Sequence, residues 1–191
     1  MIIKDSSLLT TSTSHFLGKR NVRHEPLAAS AVSELKRIRK KTIRESLIGT
    51  RESNYRLQKV LKLNGVTYIN DSGATTLNGA YYALKTTQSK IVWIAGGDDM
   101  EVDYKQLLPL VNEKVVALIA IGVVNKKLIA HFDNCIDLIC EAENMYQAVR
   151  QANQIAADGD TVLLSPACRG LDRFTGFVER GNQFNEAVRN L

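Results

Sequence analysis

The sequence lacks several features that define whole classes of protein. None of its apolar runs approaches the ~20 residues of a membrane-spanning helix. Lys4 and Asp5 come early and no apolar segment follows them, so we expect no signal peptide. Its three cysteines include no pair at zinc-ligand spacing, which argues against a zinc site and against a disulfide framework. A cytoplasmic protein with no membrane segment is the resulting expectation.

Motifs for nucleophilic and phosphate chemistry are also missing. No Ser/His/Asp or Cys/His arrangement can be identified from spacing, and we expect structural roles for Ser165, Cys168 and the three histidines. The phosphate-binding motif G-x-x-x-x-G-K-S/T occurs nowhere in the 191 residues. The sequence therefore predicts no catalytic residue, no metal site and no tightly bound cofactor.

Aromatic residues are scarce, at 6% of the chain, and none lies in its most basic stretch, residues 36–41. Residues 1–62 hold 14 Lys and Arg against 5 Asp and Glu. Such a patch suits nucleic acid, but binding of single strands needs interleaved aromatic rings. The solvated side of an amphipathic helix explains the same charges. Nucleic-acid binding is therefore the weaker alternative.

The most informative stretch is residues 65–76, which predicts a strand, a loop and the start of a helix. Its first part is apolar and β-branched, its second part is small and polar, and residues 77–84 have helical spacing. In α/β sheets such a loop can hold an anion or a nucleotide phosphate. Judged on this stretch alone, however, an ordinary turn with a good helix cap is the favoured interpretation. The candidates for that cap are Asp71, Ser72, Thr75 and Thr76.

From about residue 50 onwards, predicted strands and helices alternate. Asn64-Gly65 predicts a hairpin, and the runs at 90–95 and 115–121 are almost continuously apolar, as in parallel strands covered on both faces. We predict a Rossmann-like α/β domain over residues 50–191, with about six mostly parallel strands and helices on both faces. The other predicted strands are 55–63, 66–69, 136–140 and 161–165, and the other helices are 104–111, 125–132, 145–157 and 180–190.

Residues 1–49 predict a small helical appendage. One helix with an apolar stripe, which includes Leu27 and Leu35, is followed by a second short helix at 42–47. The stripe is too small for a core of its own and must be covered. We therefore predict a homodimer through the helix at about 25–39.

Three ordered motifs resemble one known family. They are YINDSGAT at 68–75, VWIAGGD at 92–98 and LLSPACRGLDRF at 163–174, the last of which continues to Phe184. Their order and spacing are similar to those in the C-terminal domain of the Mur ligase family, in particular of the ligases that add D-glutamate in peptidoglycan synthesis. Residues 1–49 resemble, more weakly, the last helices of that family's central ATPase domain. The resemblance implies that the whole enzyme uses ATP and Mg²⁺.

The resemblance also implies a set of site residues. It assigns nucleotide contacts to Arg56 and Asp71, and contacts with the amino acid to Thr75 and Phe177. The residues alone leave helix capping open for Asp71 and Thr75, and a surface strand position open for Arg56. For Phe177 they favour the core.

Five positions depart from the family's pattern, which has asparagine, histidine, lysine, lysine and serine where this chain has His24, Tyr55, Gly73, Met100 and Gly170. Losing one charge-assisted hydrogen bond weakens binding by about ten- to a hundredfold. We expect Gly73 and Gly170 to lie in loops where a missing side chain costs little packing. The sequence thus predicts a ligase-like domain or binding module that is inactive alone. The alternative is a subunit of a split ligase, completed by a separate ATPase-domain chain.

Overall fold

The computed structural model of the protein describes residues 55–96, 103–123, 125–169 and 173–191. The predicted helices at 25–39 and 42–47, the boundary at residue 49 and the dimer contact lie outside these ranges and stay predictions. Within them, no helix is long and apolar enough to cross a membrane.

Six strands form one sheet in the order β1-β2-β6-β3-β4-β5. The antiparallel pair is β1 with β2, and the other neighbours run parallel. The strands are β1 (Gln58–Leu63), β2 (Val66–Asn70), β3 (Ile91–Ala95), β4 (Val115–Ile121), β5 (Ile139–Ala142) and β6 (Thr161–Leu164). The helices are α1 (Leu77–Thr86), α2 (Leu108–Lys114), α3 (Lys126–Phe132), α4 (Met145–Ile155) and α5 (Phe177–Arg189).

The β1–β2 hairpin turns at Asn64 and Gly65, whose φ angles are 49° and 81°. Both angles are positive, as the favoured two-residue hairpin turn requires, and Asn-Gly adopts them with little strain. The predicted hairpin is therefore confirmed. It places β2 beside β6, so that β2 runs parallel to the buried centre of the sheet.

Alternate residues of the central strands pack into two cores, one on each face of the sheet. On one face, Trp93 of β3 packs with residues of α1, α2 and α3. On the other, Ile94 of β3 packs with residues of α4 and α5, including Phe184. Successive side chains of a strand point to opposite faces, so a strand that is apolar at every position needs helices on both sides. The predicted fold class is thus confirmed.

Several predicted boundaries are wrong for identifiable reasons. β1 begins at Gln58 and not at residue 55, because Leu57 has a φ of 45° and its N–H bonds to a side chain outside the sheet. β5 begins three residues later than predicted, because the N–H of Ile136 donates to Phe132 O at the end of α3. α5 begins at Phe177, three residues before the predicted start at residue 180. The predicted helix at 104–111 is a 3₁₀ turn, Tyr104–Leu107, followed by α2.

Candidate functional site

The candidate site lies where β2 and β6 end side by side. Asp71 follows β2, and its backbone N–H donates to Leu164 O at 2.8 Å. Ser165 follows β6, and its Oγ donates to Asp71 Oδ2 at 2.9 Å. Parallel strands bring the segments that follow them to the same edge of a sheet, where α/β proteins bind ligands. We call residues 70–72 and 165–168 the carboxyl edge.

The Asp71 carboxylate is only 2% exposed, and both of its oxygens accept hydrogen bonds. Besides the Ser165 hydroxyl, the backbone N–H of Leu57 donates to Oδ1 at 3.1 Å. Burial raises the pKa of Asp71 from 3.8 to about 6, while these two hydrogen bonds and the positive charge of Arg56 offset part of the rise. The folded protein therefore holds an ionised but poorly solvated carboxylate at neutral pH.

Thr76 caps helix α1. Its Oγ1 accepts a hydrogen bond from the Gly79 N–H at 3.3 Å, so one of the four predicted candidates is confirmed. The capping alternative is wrong for Asp71, because its carboxylate accepts hydrogen bonds from Leu57 and Ser165 and not from the first turn of α1. Thr75 is half-buried, and its backbone N–H donates to Gly73 O at 2.9 Å.

Asn70 joins the end of β2 to helix α5. Its Nδ2 donates to Gly181 O at 3.0 Å and to Asn185 Oδ1 at 2.8 Å. Its Oδ1 accepts from the Ser72 N–H at 3.0 Å. A buried amide must satisfy both donors and its acceptor, and here the partners come from one loop and one helix. The side chain thereby fixes the loop against α5.

Arg180 of α5 is the largest charged side chain in the interior, and no part of it is exposed. Its Nη2 donates to Ser72 O at 2.8 Å and to Cys168 O at 3.1 Å. One guanidinium therefore binds both segments of the carboxyl edge. Arg180 lies in the continuation of the third predicted motif, but no role was predicted for it. The signal for its burial was its spacing of four from Phe184, which places both on one helix face.

The loop after β3 is tied to the same edge. The Cys168 thiol donates to Gly96 O at 2.8 Å, and the Gly96 N–H donates to Pro166 O at 3.1 Å. Between them, Ala167 has a φ of 62°, a left-handed conformation that costs free energy for a residue with a Cβ. The second and third predicted motifs thus meet in space, and Cys168 has the structural role expected of it.

Tyr55 and Phe177 form an aromatic pair beside the carboxyl edge. Their ring centroids are 5.9 Å apart and the rings are inclined at 75°, a T-shaped contact. The Tyr55 hydroxyl donates to Asn182 Oδ1 at 2.7 Å. Phe177 is 42% exposed, so the core position that we expected for it is wrong. It begins α5, and the pair thus lies where that helix starts.

Gly73 does not lie in open space. Its N–H donates to Tyr55 O at 2.8 Å, and a Cβ added to Gly73 would lie 2.8 Å from that same oxygen. Neighbouring atoms fill the space beside Gly73, so its missing side chain leaves no cavity and costs little packing, as expected. Arg56 is exposed, as expected of a surface residue, but it precedes β1.

The comparison with protein families assigns the chain to a family. The family model described as "Mur ligase, glutamate ligase domain" matches residues 55–168. The chain belongs to the Mur ligase family.

Curated relatives agree with this assignment of the Mur ligase domain. The chain is 50% identical over 183 residues to the UDP-N-acetylmuramoylalanine–D-glutamate ligase of Christiangramia forsetii. The alignment covers 96% of this chain and 41% of that protein. The ligase of the same name from Chloroherpeton thalassium is 46% identical, over 94% of this chain and 38% of that protein. The chain thus spans about two fifths of the length of these relatives. Among solved structures, UDP-N-acetylmuramate-alanine ligase from Thermotoga maritima aligns at 14% identity with a TM-score of 0.46, over 71% of this chain and 30% of that one.

Some of the predicted site residues of this Mur ligase domain lie near the carboxyl edge, and others lie outside the described residues. The structure brings Tyr55, Gly73 and Phe177 to the surroundings of the carboxyl edge, with Arg56 beside them. The departures His24, Met100 and Gly170 lie outside the described residues. The nucleotide and amino-acid contacts that the resemblance assigns stay predictions.

Mg²⁺ and ATP, which the resemblance implies for the family, fit the described residues poorly. In the ranges that the structure describes, no group of three or more His, Cys, Asp or Glu lies close enough together to hold a metal ion. The Asp71 carboxylate, assigned to the nucleotide by resemblance, is almost fully covered by the protein. A ribose hydroxyl would reach it only after the side chain moved.

One groove of the Mur ligase domain had no signal in the sequence. It has a volume of about 460 Å³ and lies between β1 and α5. Its lining is mostly polar, and Gln58 Oε1 is buried there with no hydrogen-bond partner. The lining residues are Tyr55, Gln58, Asn182, Asn185, Glu186 and Arg189.

Proposed function

We propose that this Mur ligase domain binds a ligand of the relatives' reaction at its carboxyl edge, and that the 191 residues alone carry out no ligation. The relatives' name states their reaction, the joining of D-glutamate to UDP-N-acetylmuramoylalanine, a step of peptidoglycan synthesis. The amino acid is the ligand that the geometry favours, because the covered Asp71 leaves little surface for a nucleotide.

The observation that carries the binding proposal is the polar network of the carboxyl edge. Burying polar and charged groups costs free energy that apolar residues of similar size would not cost. Such a network is typical of a site that must hold loops in one arrangement. Its side chains are Asn70 at the end of β2, Asp71 and Ser165 in the two loops and Arg180 of α5, and the Ser72 backbone binds two of them.

The proposed inactivity has two supports. The 191 residues contain no phosphate-binding G-x-x-x-x-G-K-S/T motif, and Gly73 has no side chain at the position where the resemblance implies a lysine. The chain also spans about two fifths of the curated ligases. The alternative of a split ligase requires a separate chain that supplies the remaining three fifths.

A ligation assay tests the inactivity. The chain is incubated with ATP, Mg²⁺, UDP-N-acetylmuramoylalanine and D-glutamate, and the product is measured by mass spectrometry. We expect no product above a control without protein, while the full-length C. forsetii ligase serves as the positive control. Product from the chain alone would overturn the proposal. In a second reaction, the chain is mixed with a C. forsetii ligase that lacks the matching two fifths. Product from this mixture but not from either polypeptide alone would favour the split ligase.

Ligand-dependent stabilisation tests the binding. A ligand that binds only the folded state raises the melting temperature. We expect D-glutamate at millimolar concentration to raise it, and L-glutamate to raise it less. ADP is the second ligand to test. If neither D-glutamate nor ADP changes the melting temperature, the domain is not a binding module for this reaction.

A further inference from the structure

The groove between β1 and α5 is a second place where this domain could take a ligand. Its volume of about 460 Å³ is typical of small-ligand sites. One wall is a polar face of α5, made of residues that are three or four positions apart and therefore lie in line on the helix. The residues of that face are Asn182, Asn185, Glu186 and Arg189. The groove shares no lining residue with the carboxyl edge, so it is separate from the site of the proposed function.

Hydrogen bonds within the protein fix how the two asparagines face the groove. Asn70 uses its Oδ1 for the Ser72 N–H, so its amide nitrogen is the atom that donates to Asn185 Oδ1 at 2.8 Å. The Tyr55 hydroxyl donates to Asn182 Oδ1 at 2.7 Å. Within the described ranges, neither asparagine donates its NH₂ group to another residue. Both NH₂ groups therefore remain as donors for a ligand.

Gln58 adds an acceptor to these donors. It is the cross-strand partner of Asn70 in the β1–β2 pair, so the two side chains lie next to each other on the same face of the sheet. Its Oε1 is buried and accepts no hydrogen bond from any residue that the structure describes. A buried acceptor without a donor costs free energy, and its presence in a groove points to a donor that comes from outside the chain.

Arg189 supplies a positive charge at the far end of the groove. It is exposed and follows Asn185 by four residues on α5. Glu186 lies between them in sequence, but it forms a hydrogen bond with Tyr146 of α4, which raises the pKa of that hydroxyl. The guanidinium is thus available to a ligand, and its parallel N–H donors match the two oxygens of a carboxylate.

We propose that the groove binds the carboxyl end of a short peptide, that is, an amide group followed by a carboxylate. The amide oxygen accepts from the NH₂ group of Asn185, the amide N–H donates to Gln58 Oε1, and the carboxylate is bound by Arg189. One extended residue spans at most about 3.6 Å, whereas four residues of a helix span about 6 Å. The long side chain of Arg189 covers the difference, because helical side chains lean towards the amino end of their helix.

Two other classes of ligand match the lining less well. A free amino acid has an ammonium group that could donate to Gln58, but it has no amide oxygen for the NH₂ groups of the asparagines. A nucleotide phosphate carries more than one negative charge, whereas the groove is lined by one cation, Arg189, and one anion, Glu186. The anion opposes each added negative charge, so a ligand with a single carboxylate is favoured.

The test follows the backbone amide signals of the ¹⁵N-labelled chain by NMR during titration with N-acetylglycine, the smallest molecule that has both groups. Glycine lacks the amide, and N-acetylglycinamide lacks the carboxylate. We expect N-acetylglycine to shift the signals of Gln58 and of residues 182–189. It should bind about tenfold more tightly than N-acetylglycinamide, as expected for a charge-assisted bond, and also more tightly than glycine.

Arg189→Gln tests the carboxylate contact. It should weaken the binding of N-acetylglycine by about tenfold and leave the binding of N-acetylglycinamide unchanged, because only the first ligand carries the charge. The matched control is Arg150→Gln, which removes an exposed arginine of α4 that does not line the groove. The control should bind both ligands as the wild type does.

Gln58→Leu tests the amide contact. Since the buried Oε1 has no donor in the free protein, its removal should leave the melting temperature unchanged or raise it. The affinity for N-acetylglycine should nevertheless fall by about threefold or more, as expected for the loss of a neutral hydrogen bond. A residue that only supported the fold would show the opposite pattern, with a lower melting temperature and unchanged affinity.

Four results would overturn the inference. They are a wild-type spectrum that N-acetylglycine does not change, glycine or N-acetylglycinamide binding as tightly as N-acetylglycine, wild-type affinity in Arg189→Gln, and signal shifts confined to the carboxyl edge. The last result would assign the ligand to the other site. None of the four bears on the proposed function, because its ligands are tested separately and at different residues.

Discussion

The two ends of strand β2 are built in different ways. At its amino end, the hairpin turn of Asn64 and Gly65 depends on the backbone preferences of two adjacent residues. At its carboxyl end, Asn70, Asp71 and Ser72 are held by side chains and carbonyls from distant parts of the chain. The first end is stabilised locally, and the second only once the whole sheet and α5 have formed. Substitutions at the two ends should therefore differ in the size and the reach of their effects.

The largest effect is expected from Arg180→Met at the carboxyl end. Methionine keeps much of the volume but leaves the carbonyls of Ser72 and Cys168 without this donor in the interior. Unsatisfied buried groups cost roughly 1–3 kcal/mol each, so the free energy of unfolding should fall by about 3 kcal/mol or more, measured by urea denaturation. Arg189→Met, an exposed arginine of the same helix, is the control and should change it by less than about 0.5 kcal/mol. Equal losses would mean that the guanidinium does not hold the two segments together.

A pH-dependent effect is expected from Asp71. Its pKa is about 6 in the folded protein against an ordinary value of 3.8, so the folded state binds more protons between these values. The stability contributed by the protonated group is therefore present at low pH and is lost as the pH rises through 6. Between pH 4.5 and 7 the loss should be on the order of 2 kcal/mol.

Asp71→Asn isolates this contribution, because asparagine keeps a similar shape but does not titrate. Both proteins are unfolded with urea at pH 4.5 and at pH 7. The contribution of the other carboxylates to the pH dependence is common to both, so it cancels in the difference between them. The variant should gain stability relative to wild type as the pH rises. A difference between the two proteins that is the same at both pH values would contradict a raised pKa for Asp71.

The smallest effect is expected at the amino end of β2. Gly65→Ala adds a methyl group at a φ of 81° and against the Asp158 carboxylate, which it would overlap. Gly159→Ala, in the neighbouring turn, has a similar φ of 92° with nothing within 4 Å, so it measures the backbone strain alone. We expect about 1 kcal/mol for Gly159→Ala and about 0.5 kcal/mol more for Gly65→Ala, since the flexible Asp158 side chain must turn away. If Asp158→Ala does not reduce this excess, the contact is not its cause.

The same contrast shows what could be predicted. The hairpin, the fold class and the strand positions near the sheet centre depend on patterns within a few residues, and these predictions were confirmed. Several bonds of the carboxyl edge join residues that are far apart in the chain, with 94 positions between Asp71 and Ser165 and 115 between Asn70 and Asn185. No local pattern indicates such pairs. The three motifs marked the segments that meet there, but not that Arg180 bridges them.

The errors have the same origin. Phe177 was expected in the core because it is large and apolar, yet it lies at the first turn of α5, where the helix emerges beside the sheet. The close approach of the Tyr55 backbone to Gly73 was not predicted, because a sequence does not show which segment passes over a glycine. Both cases depend on a neighbour that is distant in the chain.

Trp93 gives the protein an optical property that follows from its position. It is the single tryptophan of the chain, it is fully buried in β3, and its indole N–H donates to Ser165 O at 2.8 Å. Ser165 is the residue whose hydroxyl bonds to Asp71. Indole emission shifts to longer wavelength when the ring meets water, so any opening of β6 away from β3 changes the fluorescence of the unlabelled protein. One emission spectrum therefore reports on the segment that anchors Asp71.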